Sequence, residues 1–102
     1  MEYITIEVPD KNDSVSRITL LGVQYQIRFT YNDTGGCWCF GLYDSLGNPI
    51  RTGVKIVPQF PLNLFWGTEN APLGVFGVLS RQETVGRRDF AEGRAKFIFI
   101  PA

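Results

Sequence analysis

Residues 36–57, GCWCFGLYDSLGNPIRTGVKIV, hold two runs of alternating side chains around the turn Asp44-Ser45-Leu46-Gly47-Asn48. In the first run Trp38, Phe40 and Leu42 point one way, while Cys37, Cys39, Gly41 and Tyr43 point the other. In the second, Ile50, Thr52, Val54 and Ile56 alternate with Arg51, Gly53, Lys55 and Val57. Period two on both sides of a Gly-Asn turn marks a β-hairpin, and its aromatic and branched cargo needs a second layer to cover it. Trp38, in register with Phe40 and Leu42, reads as a core anchor in preference to an exposed stacking ring.

Upstream the alternation is clearer still. Val23, Tyr25, Ile27, Phe29 and Tyr31 share one face, and Gln24, Gln26, Arg28, Thr30 and Asn32 share the other, which predicts a strand with one dry and one wet side. Asn32-Asp33-Thr34-Gly35-Gly36 supplies a turn into the hairpin. A strand is expected over Ser16–Leu21, broken by Gly22, and another over Tyr3–Val8, ended by Pro9. Asp10-Lys11-Asn12-Asp13-Ser14 resembles the start of a calcium loop, but Val15 stands where that loop requires glycine, so a solvated loop is expected.

Downstream, Pro58 and Pro61 bracket a change of direction. Leu62-Asn63-Leu64-Phe65-Trp66 is too short for an ordinary helix and predicts one helical turn or a packed loop, whose aromatic pair either caps a barrel end or contacts a partner. Gly74–Leu79 and Phe97–Ile100 are apolar on both faces; such strands are either central to a closed barrel or covered on one face by another chain. Between them Arg81–Arg94 predicts a polar loop with mixed charges suited to salt-bridged docking. The sum is one all-β domain over residues 1–102, a small antiparallel barrel or sandwich of about six to eight strands.

The composition removes several function classes. Ten Lys plus Arg balance ten Asp plus Glu, so no overall field draws the chain to nucleic acid or anionic lipid, and no apolar run is long enough to span a bilayer. Histidine is absent, which takes away the usual proton shuttle and the commonest metal ligand. The two cysteines, Cys37 and Cys39, lie on the same side of a strand, where a mutual bridge would close a strained loop; free thiols in a reducing compartment are expected. Two cysteines cannot complete a four-ligand zinc site, and neither lysine motifs nor a glycine-rich phosphate loop is present. The expectation is therefore a protein without catalytic residues, cofactor or metal.

The order Gly36-Cys37-Trp38, Leu42-Tyr43-Asp44, Leu46-Gly47-Asn48-Pro49-Ile50, Gly53-Val54-Lys55-Ile56-Val57-Pro58 and Gly86-Arg87-Arg88-Asp89-Phe90 resembles the plug-like baseplate proteins of contractile-tailed bacteriophages, from about Ile4 to Ile100. That resemblance implies a non-enzymatic virion protein in the baseplate hub, at the distal end of the tail tube, assembled in the host cytoplasm. It implies other tail and baseplate proteins as partners, with a homo-oligomer in the assembled particle. The expected interface residues are Trp66, Arg87, Arg88, Asp89, Phe97 and Phe99. Phe90 and Ala91 depart from the more polar pattern of the family, and Leu64-Phe65-Trp66 is more aromatic. The rival reading is a β module that binds carbohydrate or single-stranded nucleic acid on Tyr25, Tyr43 or Trp66; a third is a small hydrolase built on two facing carboxylates.

Overall fold

The computed structural model describes residues 3–56, 74–80 and 84–101. These form seven strands: β1 (Ile4–Ile6), β2 (Asp13–Leu20), β3 (Val23–Asn32), β4 (Cys37–Asp44), β5 (Pro49–Ile56), β6 (Gly74–Ser80) and β7 (Ala95–Pro101). Consecutive hairpins make β2-β3-β4-β5 a four-stranded antiparallel sheet, and β1-β7-β6 a three-stranded one. The expected turn at residues 62–66, with Trp66, lies outside the described residues.

The two sheets meet through rings. Phe29 and Phe40 of the larger sheet reach Phe97 of the smaller at centroid distances of 5.2 and 5.0 Å, both edge-to-face, and Phe40 lies 5.4 Å from Phe76. Such pairs add about 0.5–1.5 kcal/mol each beyond the area they bury. Trp38, Phe29, Phe40, Phe76, Phe97 and Phe99 are all fully buried, in one cluster fed by both sheets. The all-β expectation holds, and the arrangement is a sandwich.

Four details depart from the sequence reading. First, β2 begins at Asp13 because pairing with β3 carries it there: Asp13 and Arg28 join on the solvent face by two bonds of 2.9 and 2.7 Å. Cross-strand pairing thus overrides the weak strand preference of Asp and Ser. The register leaves Ser14 Oγ buried without a hydrogen-bond partner. Second, Leu21 belongs to a two-residue turn with Gly22, both at positive φ (54° and 79°), the type I′ geometry that matches strand twist.

Third, β5 does not alternate evenly. Phe40 pairs with Val54 and Leu42 with Arg51, so one extra residue sits on β5 where Gly53 has φ 68°. Thr52 consequently faces solvent, although simple alternation puts it with Val54 and Ile56. Fourth, Phe97 and Phe99 are core residues of the sandwich with no exposed surface, which corrects their expected place in an interface. The run 97–100 is apolar on both faces because Ile98, on the side away from Phe97 and Phe99, is itself fully buried within the chain, while Ile100 is half-buried.

Candidate interaction surface

The segment between β6 and β7, which the sequence predicts as a polar loop, is tightly hydrogen-bonded in its described part, residues 84–94. Asp89 N–H donates to the Gly86 carbonyl at 3.2 Å, and Glu92 N–H to the Arg88 carbonyl at 2.9 Å. The turn closes where Arg94 N–H reaches the Asp89 carbonyl (2.9 Å) and Gly93 N–H the Phe90 carbonyl (3.3 Å), with Gly93 at φ 80°. That is the bonding of a Schellman end, in which only a residue at ease in the left-handed region fits.

Asp89 holds the other side of the turn. Its Oδ2 accepts from Gly86 N–H at 2.6 Å, the return half of a capping box, and its Oδ1 accepts from Arg94 Nε at 2.7 Å. Burial works to raise the carboxyl's pKa, but the Gly86 bond and the Arg94 guanidinium outweigh it and hold the group below its ordinary value. Arg94 is raised in turn by Asp89 and by Glu92, bonded at 2.6 Å. Asp89 is thus an internal strut, almost wholly buried, and its expected role as a contact residue is corrected.

Trp38 fixes the turn to the larger sheet. Its indole Nε1 donates to the Gly86 carbonyl at 3.1 Å, and its ring packs edge-on against Phe90 (5.9 Å) and Tyr31 (5.2 Å). The Arg87 guanidinium lies 5.3 Å from the same ring centroid, within range of cation–π attraction. Arg87 also donates from Nε to Asn12 Oδ1 (2.6 Å) and from Nη1 to Asp10 Oδ1 (2.8 Å), while Arg88 Nη1 takes Asp10 Oδ2 at 2.7 Å. The bond from Arg87 comes first among the causes that hold Asp10 below the ordinary carboxylate range. These bonds tie the β1–β2 loop to the turn across more than seventy residues of sequence.

The two arginines differ in what they offer. The Arg87 side chain is 26% exposed and engaged on three sides, whereas Arg88 is 58% exposed. Arg88 borders a groove whose other walls include Glu7, Asp10, Phe90 and Lys96, so the surface carries both signs of charge around an aromatic ring. Of the six expected interface residues, the structure therefore brings Arg87 and Arg88 together at a surface, buries Asp89 beneath them, and puts Phe97 and Phe99 in the core. Asp10, Asn12 and Trp38 complete the cluster. Sequence reasoning missed Asp10 and Asn12 because a turn-rich loop gives no sign of which distant side chains it will meet.

Among the described residues no group of three or more Cys, Asp or Glu could hold a metal ion, and no helix is long and apolar enough to cross a membrane. Tyr25, one of the proposed stacking platforms, is buried in the core, and Trp66 lies outside the described residues. A family model described as cyanophage baseplate Pam3 plug gp18 matches residues 1–102, the whole chain. The chain belongs to this baseplate plug family. No curated protein matches it. Membership implies that the chain works among other baseplate proteins.

Proposed function

We propose that the chain is a non-enzymatic structural component of a contractile phage tail, seated in the baseplate hub at the distal end of the tail tube. It would act as one all-β domain, in several copies, assembled in the host cytoplasm before incorporation into the particle. The whole-chain match to the baseplate plug family carries this reading. Its mechanism is mechanical. The sandwich provides a rigid body, and the 84–94 turn fixes the register of a neighbouring baseplate subunit through Arg88, with Arg87 holding the turn in place.

Charge complementarity of this kind sets orientation and suppresses wrong partners more than it adds affinity. The test is an Arg88→Glu chain expressed in trans during infection with a phage lacking the native copy. Its thermal midpoint should equal that of the native chain, while its abundance in purified tails, read by mass spectrometry, should fall severalfold. Normal incorporation would remove the docking role of Arg88. Absence of the native chain from purified particles would remove the tail assignment itself.

A further inference from the structure

Cys37 and Cys39 alternate with Trp38 on β4 and so lie on the outer face of the four-stranded sheet, both free and both partly exposed. Two positions apart on one strand, their side chains point the same way. Cross-strand register puts Thr30 on one side of Cys39 and Lys55 on the other, with Asn32 beside Cys37. Two partly exposed thiols thus share one face of a strand, with Lys55 across from the second.

We propose that Cys37 and Cys39 form a two-thiolate site for a soft cation of low coordination number, Cu(I) in kind. The donor set decides the class. Zinc wants four ligands and hard cations want oxygen, whereas thiolates select soft ions, and Cu(I) is satisfied by two. Histidine is absent, and no third Cys or carboxylate joins the pair among the described residues, so four-coordinate ions find no complete shell here. A bis-thiolate Cu(I) complex carries one net negative charge, which the Lys55 ammonium across from Cys39 offsets. Binding exchanges two thiol protons for the ion, so affinity falls as pH falls. The site is independent of the baseplate reading and stands or falls without it.

Two probes test it on the full chain, reduced and kept free of oxygen. In the first, Cu(I) is partitioned between the protein and bathocuproine disulfonate. One ion per chain is expected, held about a hundredfold more tightly than by Cys37→Ser or Cys39→Ser, because the second thiol binds intramolecularly. Equal affinity in either variant would overturn the site. The second probe uses no variant: phenylarsine oxide reacts only where two thiols can reach one arsenic. Two As–S bonds form, the arsenic–oxygen bond breaks, and both thiol protons leave with that oxygen as water. The native chain should gain a single phenylarsenic group and lose both titratable thiols; a chain that keeps them overturns the proposal.

Discussion

At one end of the four-stranded sheet Asp10, Asn12, Arg87 and Trp38 are tied into one cluster, with Arg88 the most exposed of its charged side chains; at the other end three apolar side chains stand in water. Leu21 and Val23 are each 52% exposed on the β2–β3 turn and Leu46 is 86% exposed on the β4–β5 turn, both turns lying beside the start of β3. The second end is held by short-range bonds within its own turn. Asp44 Oδ1 accepts from Leu46 N–H and Asn48 N–H at 2.9 Å each, and Asp44 Oδ2 from Asn48 Nδ2 at 3.1 Å, so the turn needs nothing from its apolar tip. Long-range side-chain bonds secure the charged end, and bonds to the Asp44 carboxylate within one turn secure the apolar one. Damage to a single residue should spread at the first and stay local at the second.

The strongest way to break this contrast is Trp38→Ala. It removes a buried ring, the bond to Gly86 and the seat of Arg87, and should lower stability by about 3–5 kcal/mol, read as a fall in the urea midpoint. Asp89→Ala comes next, at about 2 kcal/mol, since Gly86 N–H loses its acceptor in a half-buried turn. Asp89 has a folded pKa below its unfolded value, so its contribution is complete above the ordinary carboxylate range and is lost as pH falls through the lowered value. Asp89→Asn should accordingly flatten the acid limb of the stability curve.

Leu21→Asn should act in the opposite direction. A leucine at φ 54° pays the left-handed penalty that asparagine largely avoids, so the variant should be more stable by about 1 kcal/mol, with the same m-value. Smallest of all is Arg88→Ala, whose exposed pair with Asp10 should leave the thermal midpoint unchanged. A large loss there would mean that the charged end depends on its outermost residue as much as on Trp38, and the contrast between the two ends would fail.

Much of the sandwich is legible in the chain. Strict alternation in Tyr25–Tyr31 and Trp38–Leu42 names the buried face of β3 and β4, and Asp44-Ser45-Leu46-Gly47-Asn48 names the turn that joins β4 to β5. The same rule fails on β5, where the bulge at Gly53 shifts the phase, and misleads at Phe97 and Phe99, whose apolar neighbours suggested a surface for partners while their rings were needed between the sheets. The polar cluster was half legible. Gly86-Arg87-Arg88-Asp89 stood out as a charged motif, but its outward and inward members cannot be told apart without knowing that Gly86 N–H and Arg94 claim Asp89.

The sequence by itself determined the local grammar of this protein: which residues alternate, where turns fall, and that histidine-based chemistry is absent. Only the tertiary structure decided which face of β7 meets β3, that Asp10 and Asn12 meet Arg87, and that Lys55 stands across from Cys39. The physical reason is range. Periodicity and turn preference act over a few neighbours, whereas burial and charge pairing join groups as distant as Ile6 and Phe97 or Asp10 and Arg88, and those are resolved only when the whole chain has packed.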